Sequence, residues 1–96
     1  QAAIFPLVSK DKIPELSEKV FWLLKKHFPG YTFSYDEKGS IGRRYRRQDQ
    51  IGTPFCITID YQTKEDDTVT VRYRDSMLQE RVKINNLVDF FRSYFK

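Results

Sequence analysis

Apolar positions change their spacing several times along this chain, and each change marks an element. Ala2 to Val8 is a short apolar run that reads as a strand; Pro6, with no N–H to donate, points to a sheet edge or a bulge. From Ile13 to Phe28 the spacing turns helical, with Leu16, Val20, Leu23, Leu24 and Phe28 on one stripe. Pro14 is tolerated in the first turn, and Pro29-Gly30 stops the helix. Glu15 and Glu18 near its start and Lys25, Lys26 and His27 near its end suit the helix dipole. Tyr31, Phe33 and Tyr35 then alternate with Thr32 and Ser34, as strand residues do.

Ser40 is a good N-cap for a short helix through Ile51, with Gly52 just past its end. Phe55 to Ile59 is an apolar run with β-branched residues, the pattern of a central strand covered on both faces. Asp60 to Asp67 reads as a polar loop. Val69, Val71 and Tyr73 then alternate with Thr70, Arg72 and Arg74. Asp75 to Leu78 is a turn, and Gln79 to Ile84 pairs back. Asn85 or Asn86 is expected to cap a last helix whose Leu87, Phe91, Tyr94 and Phe95 form an apolar stripe. The order β-α-β-α-β-β-β-α predicts an α/β sandwich: a roughly five-stranded mixed sheet flanked by three helices, in one domain over residues 1–96.

Charge adds direction to this plan. The 96 residues carry a formal net charge of +4, a mild bias toward an anionic partner. Its distribution says more. Lys38 to Gln48 holds five cations and no acid, whereas Asp60 to Asp67 holds four acids and only Lys64. There is one cysteine, Cys56, so no internal disulfide forms; a reducing, cytoplasmic setting fits. No apolar run reaches membrane-spanning length. The chain opens on Gln1 without an initiator Met and reads as a piece of a longer protein.

Catalytic material is sparse. His27 reads as a helix-terminal cation and Cys56 as an inert buried thiol, and neither has a triad partner nearby in sequence. Glu65-Asp66-Asp67 lacks the spacing of a calcium loop, and no phosphate-binding glycine motif occurs. No catalytic residue and no metal site is therefore assigned. What remains is arginine. Arg43, Arg44, Arg46 and Arg47 cover about a turn and a half of helix, so they cannot all face one way. They form either a solvated face or a phosphate-contacting surface, since arginine forks match phosphate oxygens. Arg72 and Arg74 share a strand face; they either meet RNA bases and phosphates or pair across strands with Glu80. Tyr61 offers either a stacking ring or core packing.

The stretch Ser40-Ile41-Gly42-Arg43-Arg44-Tyr45-Arg46-Arg47-Gln48-Asp49-Gln50-Ile51-Gly52-Thr53-Pro54-Phe55 resembles the anticodon-binding domain of glycyl-tRNA synthetases of the class II dimeric type. Cys56 to Tyr61, Thr68 to Met77, Gln79 with Arg81-Val82, and Ala3 to Val8 continue the likeness, although the family often has an acid where Gln50 and Tyr73 stand here. The resemblance implies the class IIa anticodon-binding fold and recognition of the anticodon loop of tRNA(Gly). It implies a parent enzyme that ligates glycine to tRNA with ATP and Mg, works as a homodimer, and keeps its chemistry outside this piece. In the related threonine enzyme, anticodon bases are contacted at positions matching Lys38, Thr63 and Arg72. The roles that follow place Arg72 on a base edge, Asp60 and Thr63 against cytosine edges with help from Glu65 or Asp66, Tyr61 as a ring, and Arg43, Arg47 and Arg74 on phosphates. Two other readings share the fold or the composition: a nucleic-acid-binding accessory subunit of a mitochondrial polymerase, and an interaction module using the aromatic face of helix Asn85 to Phe95.

Overall fold

The computed structural model describes residues 2–95. Five strands form one mixed sheet in the order β2-β1-β3-β4-β5: β1 (Ala2–Pro6), β2 (Phe33–Tyr35), β3 (Phe55–Ile59), β4 (Thr68–Tyr73) and β5 (Gln79–Lys83). β1 pairs in parallel with both β2 and β3, and β3, β4 and β5 follow one another antiparallel. Four helices pack on this frame rather than three: α1 (Ile13–His27), α2 (Ile41–Gln50), α3 (Tyr61–Asp66) and α4 (Ile84–Arg92).

The period-two alternation sorts side chains into two layers. Ala2, Ile4, Phe55, Ile57, Ile59, Val69, Val71 and Val82 face α1 and α4 and form the main core with Ile13, Val20, Leu24, Leu87 and Phe91. Ala3, Phe5 and Cys56 face the other way, under Ile41 and Tyr45 of α2. β3 is buried along its whole length, as its apolar run predicts. Burial also pushes the Cys56 thiol up to about 12, which keeps it protonated and inert.

Three local expectations change. Pro6 ends an interior strand, not an edge strand, and the missing N–H falls where the ladder stops. The polar segment after Asp60 is the short helix α3 and not a loop. Asp60 accepts from the Thr63 N–H, and the Thr63 hydroxyl accepts from the Asp60 N–H, which closes a capping box. The last helix begins directly from β5, with Lys83 and not Asn85 or Asn86 at its N-cap; the Ile84 N–H is held by the Asp67 carbonyl at 2.8 Å. Its aromatic face is largely packed within the molecule, with Tyr94 left 50% exposed. Phe95 stacks on Tyr31 and Phe91, while Phe90 and Tyr94 pack on Phe55 and Tyr73. Of the aromatics that the interaction-module reading relies on, Tyr94 alone is exposed among the described residues. No helix among the described residues is long and apolar enough to cross a membrane.

Candidate nucleic-acid interface

α2 sets the interface. Ser40 caps it by accepting from the Arg43 N–H, and Gly52, at φ 80°, takes the left-handed turn that ends it. Apolar Ile41 and Tyr45 fix which side meets the sheet, and this sorts the arginines. Arg44 turns inward, while Arg43, Arg46 and Arg47 form an exposed cationic ridge. Arg47 anchors the ridge to the preceding loop. Its Nε donates to Asp36 Oδ2 at 3.0 Å, its Nη2 donates to Oδ2 at 2.7 Å and Oδ1 at 2.9 Å, and Nη2 also reaches the Lys38 carbonyl at 3.0 Å. Lys38 is exposed beside it. Arg43 and Arg46 make no ion pair among the described residues, so their guanidinium groups remain available to an anion.

Beside the ridge, β4 and β5 present a polar strip on the same side of the sheet: Thr68, Thr70, Arg72, Gln79, Arg81 and Lys83. Its arginines are fixed in place. Arg72 is 9% exposed; it forks onto Asp49 of α2 at 3.2 and 3.3 Å and lies 4.7 Å from the Tyr45 ring centre. Tyr45 in turn shares a 2.5 Å hydrogen bond with Thr58. Arg81 spends its guanidinium on Asp60, Thr68 and Thr70 at 2.8 to 3.1 Å. Asp60 thus joins the cap of α3 to β5.

Several sequence expectations are corrected here. Thr63 is fully buried and its hydroxyl belongs to the capping box, so it has no free edge for a base. Both Asp60 oxygens are occupied by Arg81, and one also by Thr63. Arg72 clamps α2 to the sheet and does not project freely. Its partner is Asp49 and not Glu80, which lies on the other face and accepts from the Tyr73 hydroxyl. Tyr61 is 43% exposed at the start of α3, with its hydroxyl donating to Asp11 at 2.6 Å. Arg74 is exposed and pairs with its neighbour Asp75 at 3.0 Å. Sequence reasoning left Arg46 and Arg81 without roles. Helical spacing from Arg43 is enough to find Arg46, whereas nothing local signals the Arg81–Asp60 contact.

Two of the carboxylates that hold this surface, Asp60 in the strip and Asp36 at the ridge, are acidic beyond the ordinary. Burial alone raises Asp60, but hydrogen bonds and charge from Arg81, with the Thr63 bonds, outweigh it and hold the carboxyl below its ordinary range. Asp36 is likewise raised by burial, and its Arg47 and Lys38 contacts win, so it too lies below the ordinary carboxylate range. A folded value below the unfolded one means that the unfolded chain binds protons first as pH falls. The stability these groups add is complete above about pH 5 and is lost as pH drops through the depressed folded values. Urea midpoints are therefore expected to fall below about pH 4, and to fall less steeply in Asp60→Asn. Equal acid sensitivity of the two chains would show that Asp60 is not linked to folding.

A mixed α/β sandwich bearing an arginine ridge next to a preorganised polar strip presents a surface suited to an anionic partner. The chain belongs to the anticodon-binding domain family, whose profile matches residues 1–94. Similar curated proteins are the glycine–tRNA ligases of Borrelia hermsii, 53% identical over 93 residues, and of Rhodopirellula baltica, 50% identical over 96 residues. They span 97% and 100% of this chain but only 20% and 17% of their own lengths, so the chain corresponds to about a fifth of such a protein. The glycine–tRNA ligase of Methanocaldococcus jannaschii is 48% identical over 96 residues. Among solved structures, the RNA-binding domain of threonyl-tRNA synthetase from Cryptosporidium parvum has a TM-score of 0.84 at 24% identity, covering 97% of this chain and 23% of that one. Prolyl-tRNA synthetase from the same organism has a TM-score of 0.87 at 21% identity, over 98% of this chain and 20% of that one. At such identities they support the fold, and the expected class IIa architecture is what they share with this chain.

Proposed function

We propose that this domain grips the anticodon loop of tRNA(Gly) as one part of a glycine–tRNA ligase. The observation that carries the reading is the α2 ridge: Arg43, Arg46 and Arg47 exposed in a row, with Lys38 beside them and three of the four in no ion pair among the described residues. In this reading these cations hold loop phosphates and set the register of the RNA. Arg74 adds a further phosphate contact, and the exposed Tyr61 ring offers a surface on which an unpaired base stacks. Arg72, Asp60 and Thr63 act as positioning residues that keep α2, α3 and the strip in one arrangement. Glycine activation with ATP and Mg belongs to the remaining length of a dimeric, cytoplasmic parent, and this domain contributes selection of the tRNA.

The test is binding of the whole 96-residue chain to a tRNA(Gly) anticodon stem-loop and to the same stem-loop with its anticodon replaced. A preference of at least about 5-fold for the cognate loop is expected, the lower end of what a lost base contact costs. Equal affinity for both loops at every salt concentration would reduce the domain to a non-specific polyanion binder and sink the anticodon assignment.

A further inference from the structure

Arg44 has no role in the reading above, and its surroundings are unusual for a buried cation. It is 5% exposed and makes no ion pair among the described residues. Both of its hydrogen bonds leave from Nη1, to the carbonyl oxygens of Pro6 at 2.5 Å and of Asp36 at 3.4 Å. Nη2 takes part in neither bond, and the buried Nε has no acceptor at all. Its guanidinium carbon also lies 5.7 Å from the centre of the Phe5 ring. Carbonyl dipoles and a ring face do not balance a full charge removed from water, and an unbalanced buried guanidinium is costly. Of the nearby acids, Asp36 is paired with Arg47, and Glu37, which also lines this region, accepts only from the neutral Tyr35 hydroxyl at 3.2 Å and forms no ion pair among the described residues.

The guanidinium lines a cavity of about 330 Å³ together with Leu7, Val8, Lys10, Ser40 and Ile41. The cavity lies between the loop that leaves β1 for α1 and the loop that leaves β2 for α2, two neighbouring strands whose helices go to opposite faces of the sheet. Open α/β sheets bind ligands at such a divergence. It also holds the start of the ten-residue helix α2. There the N–H groups of Ile41 and Gly42 have no intrahelical acceptor, and the helix dipole favours negative charge. A buried guanidinium with an unsatisfied Nε, a helix N-terminus and Lys10 thus converge on one hollow, with Glu37 also in its lining.

We infer that this cavity is a phosphate-ester site, in which phosphoryl oxygens sit on Arg44 Nη2 and the Ile41 and Gly42 N–H groups, Lys10 adds the second charge, and the organic part rests on Leu7 and Val8. The same chemistry has two sources, a phosphodiester of a bound RNA strand or a free nucleoside monophosphate. The inference goes beyond the anticodon reading and does not depend on it.

Amide and guanidinium NMR on the whole chain tests it, with three titrants: inorganic phosphate, adenosine monophosphate and the anticodon stem-loop. Saturable shifts of the Ile41 and Gly42 amides and of the Arg44 Nε–H are expected with phosphate, and the titrant that saturates at the lowest concentration identifies the source. Arg44→Met should weaken phosphate binding about 10-fold or more, as loss of a charge-assisted contact does. Lys10→Ala, remote from the core, should weaken it by a smaller factor and decides the matter if Arg44→Met does not fold. Signals that stay still with all three titrants, or that move equally in wild type and Lys10→Ala, overturn the site. RNA that binds while these signals stay still refutes this inference alone. Phosphate that binds here while RNA shows no loop preference refutes the anticodon reading alone.

Discussion

Asp60→Ala is expected to remove about 3 kcal/mol of stability, a large part of what a domain of this size has. Two losses add. The N-cap of α3 disappears, which costs about 1 kcal/mol. Arg81 then keeps its charge in a site where its side chain is 30% exposed, with only threonine oxygens left as partners. Breaking a buried pair costs about 3–5 kcal/mol, and the partial exposure here reduces that to about 2. Asp60→Asn keeps an acceptor for the Thr63 N–H and should lose less. The decisive measurement is a double-mutant cycle by urea denaturation with Arg81→Met. If the knot is real, the double variant is hardly less stable than Asp60→Ala alone, because the stranded charge leaves with Arg81. Strictly additive losses would mean that the two residues act separately.

That knot also shows which features the chain displays locally and which it hides. The strands, α1 and α2 are legible because each has its own period: Ser40 and Gly52 bracket α2, and the run from Phe55 to Ile59 announces the central strand. α3 escapes because it buries only Thr63, too little for a helical period to register, and its capping box pairs Asp60 with a Thr at N3 where Glu or Gln is the usual signal. Arg72 is a different failure. Alternation correctly puts it on the polar face of β4, but that face is roofed by α2, which brings Asp49 and Tyr45 to it from far back in the sequence. Polar and exposed are separate properties wherever a second helix layer crosses a sheet. The α2 arginines were half-legible: spacing states that they must divide, and only the burial of Ile41 and Tyr45 decides that Arg44 is the one facing inward.

If the ridge is the RNA contact, removing Arg43 and Arg46 together should flatten the salt dependence of stem-loop binding by about 1.4 to 1.8 in log K against log salt. This follows from two fewer neutralised phosphates, at about 0.7 per charge on single strands and about 0.9 on duplex. Extrapolated from 1 M salt, where the term vanishes, this predicts affinity about 25- to 60-fold weaker near 0.1 M. Neither residue is paired with an acid among the described residues, so the fold should lose little when both become alanine. The matched control is Lys19→Ala with Lys26→Ala, which removes the same net charge from exposed positions on α1, across the sheet from the ridge. Long-range attraction depends on net charge and would weaken binding equally in both pairs. Contact at the ridge weakens only the first. Because both arginines would hold phosphates, cognate and altered loops should lose affinity by the same factor. A loss confined to the cognate loop would move these arginines from positioning the RNA to reading its bases.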